Sequence, residues 1–273
     1  MKKTILITGT SSGIGRTTAK YFQEKGWNVI ATIRNNPEED EALSALDNVL
    51  VTKLDVRDSQ SMANTVTKGI ETFGKIDVLL NNAGYGAFGI LEATPEAAIR
   101  KQFDVNVIGT LMMTKAVLPH MRYNKNGIII NLSSMAGKAT FPMGSLYHGS
   151  KFAIEGLTES LRYEFEPVGI KVKLIEPGLM ATNFGTSSAA ININPELTEY
   201  QNITDKVLST FGSMNDVASD PILVTETIYK AATDGTNQLR YPIGTDAEGI
   251  LAARKSMEDN EFSEFVKQQY SLS

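Results

Sequence analysis

Cysteine is absent from the 273 residues, which excludes disulfides, thiol nucleophiles and thiolate-held metals. Histidine occurs twice, at His120 and His148, too few for a zinc site built on Cys or His. No metal ligand is assigned, although plentiful acids leave a weakly held Mg²⁺ open. No apolar run approaches the length of a membrane span. No block of Lys or Arg stands out, and the formal net charge is -5, so neither membrane nor nucleic acid is an expected partner. The opening MKKTILITGT has the lysines of a signal peptide, but its apolar run is too short and Gly and Ser interrupt it. These absences lead us to expect a soluble, cytoplasmic protein whose chemistry rests on hydroxyl, amide and charged side chains.

What is present is a regular alternation. Short β-branched runs at 4–8, 28–33, 49–53, 78–82, 128–133, 171–176 and 239–242 read as strands. Several are apolar throughout, as strands buried on both faces of a parallel sheet must be. Amphipathic stretches at 14–25, 39–46, 59–73, 96–123 and 150–166 read as helices. The alternation predicts βαβ units and an α/β doubly wound parallel sheet, a Rossmann fold of about seven strands with helices on both faces. No linker divides the chain, so one dinucleotide-binding and catalytic domain spans 1–273. Residues 183–214 mix Ser, Asn, Gly and Thr with scattered apolar residues and read as a substrate-lid insertion after a strand end. Residues 246–273 read as a helical tail.

The first strand runs into Gly9-Thr10-Ser11-Ser12-Gly13-Ile14-Gly15, and a helix follows. Gly9 allows a tight turn, Gly13 lets backbone approach a pyrophosphate, and Gly15 permits close helix–sheet packing. The helix N-terminus presents N–H groups and a positive dipole end to phosphates. The spacing G-x-x-x-G-x-G departs from the usual G-x-G-x-x-G, so its position between strand and helix carries the reading. A dinucleotide site shows its ribose preference at the end of the second strand. Thr32 stands where an acid would favour NAD, and Arg34 follows. A guanidinium clamps a phosphate with two parallel bonds, so NADP(H) is preferred, with Ser12 as a further donor and NAD(H) as the alternative. The acids from Glu38 to Glu41 would oppose a phosphate if they faced it. Asp55, in Leu-Asp-Val, suits the adenine amino group, and Asn81-Asn82-Ala83-Gly84 suits a chain lying close to a cofactor.

The strongest signal is Tyr147-His148-Gly149-Ser150-Lys151, with Ser134 thirteen residues before the tyrosine. Residues i and i+4 share a helix face, so Tyr147 and Lys151 project side by side. A free phenol titrates at about 10, and a neighbouring ammonium lowers that value toward neutrality. Ser134, at a strand end, could hold a substrate oxygen beside Tyr147. Asn106 falls mid-helix, where asparagine is mildly unfavourable, so a polar task such as holding a water near Lys151 is expected. His148 points away from Tyr147 and reads as packing or solvent contact, and His120 as a helix-end residue.

Together TGTSSGIG, LDV, NNAG, Asn106, Ser134, YHGSK and Pro177-Gly178-Leu179-Met180-Ala181-Thr182 resemble the classical short-chain dehydrogenase/reductase family, closely over about the first 180 residues. VIATIRN, KFAIEGLTESLRYEFEP and LRYPIGTDA are similar to its hydroxysteroid-dehydrogenase-like branch. The resemblance implies a catalytic tetrad of Asn106, Ser134, Tyr147 and Lys151, with Lys151 also on the nicotinamide ribose. It implies cofactor contacts from Gly9, Ser11, Ser12, Gly13, Ile14, Gly15, Arg34, Asp55, Val56, Asn82, Ala83, Gly84, Tyr147, Lys151, Pro177, Gly178 and Thr182. It also implies a homodimer or homotetramer built on the two long central helices. The expected activity is NADP(H)-dependent hydride transfer between a carbonyl and an alcohol, with Tyr147 as the acid/base. Phe88, Phe141, Met143 and the lid suggest a small apolar ketone, aldehyde or alcohol as partner. The alternatives are a 3-oxoacyl thioester reductase and a non-catalytic NADP(H) sensor.

Overall fold

The seven apolar runs pair edge to edge. Our computed structural model describes residues 2–182, 189–214 and 218–272. Strands β1 (Thr4–Ile7), β2 (Asn28–Ile33), β3 (Val49–Lys53), β4 (Val78–Asn81), β6 (Gly127–Leu132), β7 (Ile170–Pro177) and β9 (Arg240–Ile243) form one sheet of order β3-β2-β1-β4-β6-β7-β9. Every pairing is parallel. This is the expected doubly wound Rossmann-type sheet in a single domain. The order reverses between β1 and β4, and in such sheets ligands sit outside the strands' carboxyl ends at that reversal.

Strand side chains alternate faces, so each apolar run feeds two cores at once. Ile5, Ile7, Val29 and Leu80 pack on one side with Phe22 of α1 (Gly13–Glu24) and Ile228 of α8 (Ile222–Thr233). Leu6, Ile30 and Leu79 pack on the other with Met62 of α3 (Ser59–Phe73), Met113 of α5 (Gly109–Asn124) and Phe165 of α6 (Ser145–Phe165).

Four features depart from the sequence reading. The expected helix over 39–46 is a 3-10 turn, Pro37–Glu39, and a short α2 (Glu41–Ser44). The expected helix over 96–123 is α4 (Glu96–Phe103) and α5 joined by a π-turn, Asp104–Ile108. Helix α6 begins five residues earlier than expected, so Tyr147 lies within its first turn. The segment expected as a loop-like lid contains β8 (Ala189–Asn192) and α7 (Gln201–Met214); residues 183–188 of that lid lie outside the described residues. Strand β8 pairs with β5 (Gly86–Gly89) in a separate parallel ribbon. The tail folds as α9 (Thr245–Ser256) and α10 (Asp259–Gln269). Val207 of α7 and Phe262, Val266 and Tyr270 from the tail join Ala139 and Met143 in a third core, with Phe141 and Phe211 packed against it.

Candidate active site

The turn after β1 is held from two neighbouring strands. Gly9 has φ +74, a left-handed conformation that glycine adopts without a Cβ penalty. Its N–H donates to Thr32 Oγ1 at 3.2 Å, and Thr32 Oγ1 donates to Ile7 O at 3.0 Å. Thr32 is fully buried and braces the turn, which is what occupies the position where a ribose-binding acid was sought. Asn82 Nδ2 donates to Thr8 O and Gly9 O, both at 2.8 Å, and the N–H groups of Asn82 and Ala83 donate to Thr8 Oγ1. A Cβ on Gly15 would stand 2.2 Å from Gly9 O and 2.5 Å from Asn82 Nδ2, so only glycine lets α1 begin there.

The first turn of α1 contains no acid, and no side chain caps it. Its amide groups and dipole therefore face outward without a competing carboxylate, the condition an anionic pyrophosphate needs. Ser12 is the N-cap, with Ser11 and Ser12 exposed and Ile14 half-buried. Across from it, Thr182 Cβ lies 3.9 Å from where a Cβ on Gly13 would stand. The two ends of the motif set, 169 positions apart, thus border one cleft. Pro177 ends β7, Gly178 N–H donates to Ile243 O, and Leu179 N–H donates to Asp246 Oδ2 at 2.7 Å. A Cβ on Gly178 would meet Asp246 at 2.2 Å, so this aspartate fixes the Pro177–Thr182 path. Sequence reasoning missed Asp246; its signal was an acid in the first turn of the tail helix.

Beyond the β2 end lies an open groove of about 510 Å³, lined by Ser11, Arg16, Asn35, Asn36, Glu39 and Asp40 among others. The acids do face it. Arg16 grips Asp40 through two nitrogens, at 2.5 and 3.0 Å, and holds its carboxyl below the usual range. Arg34 is exposed, and no hydrogen bond or ion pair ties it down among the described residues. Asp55 is engaged by Arg57, at 2.8 and 3.2 Å, which draws its carboxyl down. Val56 O lies 2.8 Å from a Cβ built on Gly109, so the segment after β3 is packed on the start of α5.

Ser134, Tyr147 and Lys151 meet at the carboxyl ends of β6 and β7. The Tyr147 hydroxyl is in hydrogen-bond contact with Ser134. Ser134 Oγ also donates to Pro177 O at 3.3 Å and accepts from Ala136 N at 3.1 Å. Lys151 Nζ lies 5.7 Å from the Tyr147 ring centre and donates to Leu132 O at 2.7 Å. Burial pushes Tyr147 up to about 12, against the help of Ser134, and pushes Lys151 down to about 8. In the protein by itself burial, rather than Lys151, dominates the Tyr147 hydroxyl. Desolvation of the phenolate outweighs the hydrogen bond from Ser134.

Asn106 is buried in the π-turn. Its Oδ1 accepts from Tyr85 N at 3.1 Å, and its Nδ2 donates to Tyr85 O at 2.8 Å and Ser150 Oγ at 3.3 Å. It clamps the chain after Gly84 rather than contacting Lys151, and Gly84 leaves room for it, a Cβ there standing 3.3 Å from Oδ1. A π-turn adds one residue to a helical turn, a device frequent at functional sites. His148 is 3% exposed, which corrects the solvent-contact reading. Its Nδ1 pairs with Ala136 O at 2.9 Å and its Nε2 accepts from Phe141 N at 3.1 Å, so a neutral ring pins the loop before α6. His120 Nε2 accepts from Ile76 N at 3.1 Å.

A family model described as short chain dehydrogenase matches residues 3–191. An uncharacterized oxidoreductase of Schizosaccharomyces pombe is 43% identical over 86% of this chain and 99% of its own length. A 3-ketodihydrosphingosine reductase of Bacteroides thetaiotaomicron is 42% identical over 66% of this chain and 65% of its own. A short-chain dehydrogenase from Streptomyces avermitilis superposes with TM-score 0.83 at 33% identity, covering 100% of this chain and 98% of that one. ElxO with NADP bound superposes with TM-score 0.72 at 29% identity, covering 89% and 98%. The chain belongs to the short-chain dehydrogenase/reductase family. It is a nicotinamide-dependent oxidoreductase acting on alcohol or carbonyl groups.

Proposed function

We propose that the chain is an NADP(H)-dependent reductase of an apolar ketone or aldehyde, with Tyr147 as proton donor. The contact of the Tyr147 and Ser134 hydroxyls at the strand ends, with Lys151 on the same helix face, carries this reading. The residues present fit a dinucleotide: an uncapped, acid-free helix start for the pyrophosphate, Thr182 opposite it, and Arg34 at the end of β2. When bound, that cofactor supplies the hydride. Ser134 holds the carbonyl oxygen and Tyr147 gives it a proton. A phenol pushed up to about 12 keeps its proton at neutral pH, yet a nascent alkoxide is a stronger base and takes it. Lys151 steadies the phenolate left behind and holds ribose hydroxyls. Asn106 fixes the backbone of residues 84–85 beside the site, from which a water leading to Lys151 would be held.

The substrate side is apolar. The Phe88 ring centre lies 5.2 Å from that of Tyr147, Phe141 stacks on Phe88, and Phe211 meets it edge-on. This lining, with a similar protein named a 3-ketodihydrosphingosine reductase, favours a hydrophobic ketone over a small polar one. The lid is β8 and α7, and α9 and α10 of the tail support it. Exposed Ile108 and Phe152, on the π-turn and α6, support a homo-oligomer formed through the central helices. The test is oxidation of NADPH with long-chain ketones, beside Tyr147→Phe. The variant should lose at least about a hundredfold in turnover and still bind NADPH; retained turnover sinks the assignment.

A further inference from the structure

Behind Lys151, two elements bring glutamates to one place. Glu155 lies one turn beyond Lys151 on α6, and Glu176 is the penultimate residue of β7. They are 3% and 2% exposed. Both point at the same Nε of Arg240 from β9, Glu155 Oε2 at 3.0 Å and Glu176 Oε1 at 3.5 Å. The outer nitrogen of that guanidinium is taken by the exposed Glu159 at 2.7 Å. One cation therefore faces three carboxyl groups. The Oε1 atoms of Glu155 and Glu176 have no hydrogen-bond partner among the described residues, although both glutamates are turned to the same Arg240 Nε. Two ionised carboxylates repel in that position, and two acceptors cannot satisfy each other. A proton between them resolves both conflicts.

We propose that Glu155 and Glu176 share one proton, and that this acid pair keeps Lys151 in its ammonium form as the pH rises. The statement about Lys151 draws its catalytic meaning from the reductase reading above; the shared proton does not depend on it. The charged groups around the pair are Lys151 and Glu159 on α6, Arg240 on β9, and Lys138 in the segment after β6. Ser133 Oγ is also buried without a partner; it and Glu155 Cγ each lie 2.8 Å from where a Cβ on Gly137 would stand. Burial and then the charge of Glu155 push Glu176 up to about 8, against Arg240. Burial pushes Lys151 down to about 8, and Glu155 opposes that fall. Below this range the pair carries one negative charge and above it two. The second charge arrives over the pH interval in which Lys151 would lose its proton, so it resists that loss. Both glutamates are positioning residues; neither touches the reacting atoms.

Three measurements on the full chain test this. Infrared spectra of protein labelled with ¹³C-glutamate should show a protonated carboxyl at pH 7 that vanishes above about pH 8 and is missing from Glu176→Gln. No such band in the unsubstituted protein overturns the shared proton, whatever becomes of the variant. A carboxyl whose folded pKa lies above its unfolded one loses stability as pH rises between the two. The Tm gain of Glu176→Gln should therefore grow by about 2 °C or more from pH 5 to pH 8, and a pH-independent difference counts against the pair. The ¹³Cε resonance of Lys151 should titrate about half a unit or more lower in Glu176→Gln, with the alkaline fall of turnover following it. An unmoved Lys151 titration overturns the link to the lysine, and this readout needs no substrate.

Discussion

At the scale of single residues, the β2 end divides its tasks among three side chains. Thr32 is buried and braces the glycine turn, Arg16 neutralises Asp40, and Arg34, the residue after β2, is left exposed. If a 2′-phosphate binds at this strand end, Arg34, which has no hydrogen bond or ion pair among the described residues, is the cation to meet it, against the exposed Glu39 of the groove. Charge-assisted bonds of this kind contribute about 1.5–3 kcal/mol, or about ten- to a hundredfold in affinity. Arg34→Ala should weaken NADPH by that factor and leave NADH nearly unchanged, measured as Kd for each cofactor; an unaltered ratio removes Arg34 from the site. The residues legible in the sequence were those whose neighbours are local. Tyr147 and Lys151 are one turn apart, and the glycines lie within seven positions of one another. Asp246 and Glu176 were illegible because their partners come from far along the chain, at Leu179 and at Glu155 and Arg240. Asn106 was legible as an oddity in a helix, but its clamp on Tyr85 depends on a π-turn that no residue spacing reveals.

At the scale of elements, the last sheet strands show how a charge can be buried usefully. Lys173 of β7 is 1% exposed, and its Nζ donates to Asp234 Oδ1 at 2.6 Å and to Tyr241 Oη at 2.9 Å. Tyr241 Oη donates in turn to Asp234 Oδ2 at 2.6 Å, so the end of α8 is tied to both β7 and β9. Burial acts to raise the Asp234 carboxyl, but the bonds from Lys173 and Tyr241 prevail and draw it down to about 2. A carboxylate whose folded pKa is depressed stabilises the fold above its unfolded value, and that stabilisation is lost as pH falls through the folded one. Asp234→Asn should therefore cost about 2–3 kcal/mol in urea unfolding at pH 7. The cost should shrink between about pH 4 and pH 2, and a constant cost argues against the ion pair. The strands of this sheet were legible because runs such as ILI and VLL are buried on both faces. Helix α8 was not, since ILVTETIYKAAT mixes β-branched residues with helix formers and its pairing with α1 is tertiary. The β5–β8 ribbon joins four residues near position 88 to four near 190, a pairing with no local signal.

At the scale of the whole molecule, the chain's insertion and tail come together in one core with Ala139 and Met143, on the carboxyl edge of the sheet. Helices α7 and α10 build a core of their own over it, and its aromatic members reach back to the reaction centre. Phe211 of α7 meets Phe88 at 6.0 Å, Phe141 at 5.9 Å and Tyr270 at 6.2 Å, and Phe88 touches Tyr147. Edge-on aromatic contacts of this kind add about 0.5–1.5 kcal/mol each beyond the apolar area they cover. The cover is thus cohesive, yet it is separate from the two cores that hold the sheet. Phe211→Ala should loosen the cover without unfolding the domain. If α7 is the substrate lid, KM for a long-chain ketone should rise about tenfold, because an apolar contact made equally in ground and transition states sets KM rather than kcat. The Kd for NADPH should stay the same if the glycine turn is its cradle. A fall in kcat with constant KM would mean that Phe211 orders Tyr147 rather than the substrate. Loss of NADPH binding would mean that the cover and the cofactor cleft fold as one unit.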